Sequence, residues 1–345
     1  MQSYFRYIPS IVVALSFFLQ SCRTSADELP IVKLDFKRTE LSMRTAWNGY
    51  RRDSLQSQQA VYRNFFLPDR NFYIDWLYQG DTLLADSIIA FDLLDFSFNP
   101  YTQQLIDSVL LRYPENYSFE QMLTPPLQRF KKEFPNFSLP AFRTYISGYK
   151  EPGQLTMDPL YFSGTYMGIG LHYFLGEKFA YYPSDIPQFV RRRCRPESLV
   201  PAVLLEFCNY LQKPLDPKSR PTLLAQMIHA GARYYFLDRM LPDTPDSIKI
   251  SYTEKELRWT QAFIRETYND MIPLLYETDF FKYEKYIQER PFTPTISHDS
   301  PGRLGVYIGW QIVRKFMHEN PDYPLLQLLQ TTDFDTIFKE SNFKP

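Results

Sequence analysis

The sequence is poor in the residues that mark common kinds of chemistry. Only four histidines occur in 345 residues, His172, His229, His298 and His318, and no two are spaced as HxH or HxxxH. Helical metal sites use the i, i+4 spacing because it puts two imidazoles on one face. The three cysteines, Cys22, Cys194 and Cys208, make no CxxC pair and no Cys/His cluster, so a structural zinc site of the usual kind is unsupported. A G-x-S-x-G elbow and a G-x-x-x-x-G-K-[ST] loop are both missing, and Gly168-Ile169-Gly170 lacks the third glycine of a dinucleotide fingerprint. A formal net charge of −1 argues against a nucleic-acid binder, which would show a basic stripe. Glycine is scarce, 12 residues against 27 prolines, so loops are stiff and turns needing positive φ are few.

Long apolar runs are also lacking. The run from Ile11 to Leu19 is about half of the ~20 residues a membrane span requires, and behind Arg6 it reads as a signal-peptide core. It ends in Leu19-Gln20-Ser21-Cys22, which resembles a bacterial lipobox. That resemblance implies cleavage before Cys22 and lipidation of its thiol, with palmitate among the acyl chains. Several chains, at ~0.8 kcal/mol per buried methylene, anchor a protein where one chain is marginal. An ordinary signal peptide with a chance cysteine is the plainer alternative. Residues 1–22 are therefore expected to be a lipoprotein signal peptide and 23–30 a tether, with one domain over 31–345. Cys194 and Cys208 are left either as one disulfide in an oxidising periplasm or as two reduced helical cysteines.

Aromatic residues are abundant, 26 Tyr and 29 Phe, as in a tightly packed fold with wet edges. Strands are expected at Ile31–Phe36, Phe142–Ser147 and Met167–Phe174, with a fourth near Leu160–Phe162. Helices are expected at about 48–66, 69–79, 101–113, 117–133 and 198–211. Further helices start from a Ser219 cap with Pro221 in the first turn, from the Thr253–Glu256 capping box (to about Tyr276, with Pro273 expected to kink or end it) and from Ser300-Pro301 (to about Glu319). Two short ones near 325–329 and 334–338 close the chain. The fold class is α+β, a mostly helical domain with one small sheet.

Four segments carry a family resemblance: Phe134-Pro135-Asn136-Phe137-Ser138-Leu139-Pro140; Gly170 to Gly176 with Tyr182-Pro183; Met227 to Asp238; and Ser300-Pro301-Gly302-Arg303-Leu304-Gly305 with Gly309-Trp310-Gln311. Together they resemble the gliding-motility lipoprotein B family (GldB type) of Bacteroidetes over roughly residues 30–345. Two departures are His172, where the family usually has Asp, and Ala230, where it usually has Glu. The resemblance implies work in the gliding and type IX secretion apparatus, attachment to the outer membrane, and other envelope proteins as partners. Such proteins in turn look like distant gluzincin metallopeptidases, which carry H-E-x-x-H on one helix and a glutamate ligand on the next. Leu205-Glu206-Phe207-Cys208-Asn209 stands at that motif and Ala230 at the third ligand, so the scaffold is read as degenerate, with no metal, no cofactor and no catalytic residue.

The candidate cleft or partner-binding residues are Glu206, Asn209, His229, Arg303, Trp310 and Gln311. The bland alternative for His229 is a core-facing helical histidine with one hydrogen bond, and for Trp310 plain core. The basic run Arg191-Arg192-Arg193 with Arg195 faces either anionic lipid or an acidic partner, or caps a solvated helix end. Two further functions remain as rivals: a metallopeptidase with atypical ligands, and a carbohydrate-binding lipoprotein, which lacks any ordered aromatic platform.

Overall fold

Four short strands make one mixed sheet in the order β1-β2-β4-β3. They are β1 (Phe36–Lys37), β2 (Ala141–Tyr145), β3 (Leu160–Phe162) and β4 (Tyr166–Gly170). The neighbours β1/β2 and β2/β4 run parallel, with Phe36 opposite Phe142 and Phe142 opposite Met167, while β3 returns antiparallel as an edge. The computed structural model describes residues 28–49, 54–78, 86–147 and 159–345. The leader, Cys22 and most of the tether lie outside the described residues.

Six α-helices lie between β1 and β2 among the described residues: α1 (Thr39–Gly49), α2 (Leu55–Val61), α3 (Arg70–Tyr78), α4 (Asp86–Ser97), α5 (Pro100–Arg112) and α6 (Phe119–Glu133). After the sheet come α7 (Gln188–Arg191), α8 (Leu199–Leu211), α9 (Leu223–Met240), α10 (Asp246–Ile250) and α11 (Glu254–Ala262). The last are α12 (Ile264–Met271), α13 (Phe280–Ile287), α14 (Leu304–Glu319), α15 (Leu325–Gln330) and α16 (Phe334–Ser341). The mostly helical α+β reading holds. Local chemistry starts several helices, the expected Thr253 box among them. Asn99 caps α5 ahead of Pro100, Ser118 caps α6, and Thr253 with Glu256 closes a full capping box on α11.

Several boundaries differ from expectation: α1 lies before the helix expected from about 48, and the strand expected over Met167–Phe174 stops at Gly170, where a 3-10 turn takes over. The strand expected over 31–36 shrinks to two residues. Thr222, not Ser219, caps α9, because Ser219 sits in a separate 3-10 turn started by Asp216. The start of α14 is set by Arg303 in the left-handed conformation, φ 59°, and not by a Ser300 cap. Ser300 instead uses its hydroxyl to bond Thr293 and Ser297 across the preceding loop.

Helix α8 lies over one face of the sheet, where the Phe207 ring meets Phe162 at 5.4 Å and Phe142 at 6.4 Å. Behind it, α9 and α14 form the most extensive helix pair of the molecule. They touch backbone to backbone. A methyl on Gly309 would overlap the Met227 carbonyl, and one on Gly231 would overlap the Gly309 backbone. Two glycines are thus what permits the helices to approach this closely. One continuous apolar cluster runs from Met43 to Ile337 and joins sheet and helices.

Candidate functional site

Between the free edge of the sheet and helices α8 and α9 opens a cavity of about 700 Å³, within the usual size range of ligand pockets, ~300–1,000 Å³. Its α9 wall is built from Gln226, His229, Ala230 and Arg233. Those residues follow at i, i+3, i+4 and i+7, one face of a helix. From α8 come Leu205 and Glu206; the opposite rim holds Lys249, Glu289 and Arg303. Pro159 and Leu160, at the start of β3, form the sheet side.

His229 sits on the wall with its Nε2 3.0 Å from the Lys213 carbonyl. A carbonyl only accepts, so this nitrogen carries the proton. Burial lowers the imidazole pKa and the nearby Arg233 charge adds to the effect, against the pull of that carbonyl. His229 therefore stands as a neutral donor tying α9 to the loop after α8. The carbonyl of His229 accepts a second tie from the Gln212 side-chain amide at 2.8 Å.

Arg303 reaches the rim from its strained turn, a conformation that costs of order 1–3 kcal/mol and persists only where the surroundings impose it. Its guanidinium donates to the Tyr234 hydroxyl at 2.9 Å and to the Ile250 carbonyl, and it lies over the Tyr252 ring at 5.8 Å. Burial alone would lower its pKa, but Tyr234 and Glu289 outweigh that and raise it. Glu289 stands 4.0 Å from Arg303 and also pairs with Arg193, so one carboxylate serves two cations.

The other candidates lie elsewhere. Asn209 is exposed one turn beyond Glu206 and does not line the cavity. Trp310 is fully buried and Gln311 half-buried on α14, both outside the cavity. The Trp310 indole N–H donates to Asp238 at 2.8 Å. It belongs to a network that no motif announced. Arg314 binds both oxygens of Asp238 (2.7 and 2.8 Å) and both of Asp246 (2.6 and 2.7 Å), and stacks 3.9 Å from the Trp310 ring centre. Lys249 adds a 2.8 Å contact to Asp238. Two bidentate pairs of this kind fix orientation as well as charge, and they hold Lys249 where it lines the cavity.

The basic run is consumed internally. Arg191 donates to the Ile186 and Pro183 carbonyls, Arg192 binds Glu256 at 2.6 Å, Arg193 pairs with Glu289, and Arg195 lies 3.4 Å from Glu177. Cys194 and Cys208 are both buried and form no disulfide with each other. Zinc, which a zincin layout implies, would need donors at 205, 209 and 230. Leu205 and Ala230 carry none and Asn209 faces solvent, so the residues present do not fit it. Among the described residues no three His, Cys, Asp or Glu side chains converge, and no described helix is long and apolar enough to cross a membrane.

A family model described as "Gliding motility protein GldB" matches residues 22–345. No curated protein and no solved structure matches the chain.

Proposed function

Since the chain belongs to the gliding motility protein GldB family, we propose that this lipoprotein works by contact, as a non-catalytic assembly component of the gliding and type IX secretion apparatus. It is held at the outer membrane through acyl chains on Cys22 and faces the periplasm. The observation that carries this reading is the donor set around the cavity. Where a peptidase would place its metal ligands the chain has Leu205, Asn209 and Ala230, yet the cavity beside them is kept. A groove beside an exposed strand receives extended chains by strand addition, a mode that needs no metal.

Two measurements test the proposal. The detergent-solubilised lipoprotein, isolated from envelopes, should bring down other components of the apparatus, and a cavity-blocking Ala230→Trp variant should lose them. Elemental analysis of the same preparation should find zinc far below one per chain. Stoichiometric zinc that disappears in His229→Ala would overturn the contact reading in favour of a metallopeptidase with atypical ligands.

A further inference from the structure

The cavity has a charge imbalance and a bare strand edge, and together they describe its occupant. Among the described residues four cationic side chains line it, Arg193, Arg233, Lys249 and Arg303, against two carboxylates, Glu206 and Glu289. With His229 neutral, two positive charges are in excess. Three of the cations have acidic neighbours: Lys249 is held by Asp238, and Arg193 and Arg303 share Glu289. Arg233 adds a donor of its own: its Nε is buried and, among the described residues, has no hydrogen-bond acceptor. A buried charged donor left in that state is costly. Leu160, Phe174, Leu205 and Val306 supply apolar stretches of the wall.

The strand edge supplies the second observation. Gly170 donates to the Pro159 carbonyl and Ser163 to the Tyr166 carbonyl, with Tyr161 opposite Gly168 between them. In an antiparallel pair these alternate residues turn their amides and carbonyls toward the partner strand. Those of Leu160 and Phe162 consequently point away from β4, and among the described residues no backbone group bonds them. An unpaired edge of this kind is a template for another extended chain.

We propose that the occupant is an extended peptide segment bearing a carboxylate. Arg233 receives the carboxylate, the peptide backbone runs along the Leu160 edge, and its apolar side chains pack on Phe174, Leu205 and Val306. The inference rests on the contact reading and adds the chemistry of the partner. A fatty acid would satisfy the cations and the apolar wall, but it would leave the Leu160 amide and carbonyl without partners.

The test uses the full-length, detergent-solubilised lipoprotein and affinity selection from two synthetic pentapeptide libraries read by mass spectrometry. One library has free C-termini and contains Asp and Glu; the other is amidated and carries Asn and Gln instead. The acidic library should be retained at least about tenfold better, the effect of one hydrogen bond to a charged group. Arg233→Gln should remove that preference and Arg233→Lys should keep part of it, while Asn209→Ala, outside the cavity, should change nothing. Equal retention of both libraries overturns the carboxylate inference and leaves the contact reading standing. Retention of neither overturns the peptide occupant altogether, and laurate binding in that case would assign the cavity to a lipid.

Discussion

At the scale of single residues, burial decides more than motif. His172 is fully buried beside Ser147, whose hydroxyl is 3.2 Å from its Nε2, and burial pushes the imidazole pKa down to about 3. An unfolded histidine titrates near ~6.5. Between those values the unfolded chain holds a proton that the folded chain does not, so stability falls as pH drops through this window, by at most ~1.4 kcal/mol per pH unit. Thermal melts of His172→Gln should therefore lose less between pH 7 and pH 4 than the parent does; parallel losses would show that the imidazole is not the cause. The thiols obey the same rule, since burial pushes Cys194 and Cys208 up to about 12. Both should resist a thiol reagent at pH 8 in the native protein. On unfolding, two groups should react per chain if Cys22 is acylated and three if it is not. Among the cavity residues, Glu206, His229 and Arg303 were legible because each sits in a recognisable segment. Lys249 and Glu289 were not, since they come from α10 and the stretch after α13 and only the fold brings them to the wall; Arg233 shares the Met227–Asp238 segment with His229, but nothing in that segment separates it from a surface arginine.

Between elements, the α9/α14 contact and the Arg314 network do most to place the cavity. Gly309→Ala should destabilise by about 3 kcal/mol, because the added methyl meets backbone and no flexible side chain can give way; a denaturant midpoint equal to the parent's would contradict the contact. Arg314→Met should cost about 2 kcal/mol, a discounted figure, since the guanidinium is 29% exposed. Adding Asp238→Asn and Asp246→Asn to that variant should recover part of the loss, and no recovery would mean that the carboxylates are stable without the arginine. Sequence pattern reached some elements and missed others for physical reasons. The Thr253–Glu256 box was readable because capping is local. Helix α4 was missed: its run Ile88-Ile89-Ala90-Phe91-Asp92-Leu93-Leu94 is apolar nearly all round and shows no stripe of helical period. The segment opened by the Thr253–Glu256 box stops near Pro273, where a proline was expected to end it, but the additional break at Phe263 that divides it into α11 and α12 had no proline or glycine to announce it.

For the whole molecule, the unbroken cluster from Met43 to Ile337 ties the early helices, the sheet and the last helix into one core. Tryptophan fluorescence and far-UV circular dichroism should consequently report the same unfolding midpoint, and two separated transitions would divide the chain into independent units. Two of the four segments that carry the family likeness meet at structural junctions: Gly231 against Gly309, Asp238 bonded to Trp310, Arg303 at the head of α14. The direct apposition of α9 and α14 also has a mechanical effect. Where Gly231 and Gly309 meet, no side chain lies between the two backbones to shear, so the two helices are locked together at that point and the back of the groove keeps its shape whatever enters. Any adjustment to an incoming guest falls on the α8 side and on the short strand opposite, and exchange of backbone amide hydrogens should slow there, not on α9, when a guest is seated.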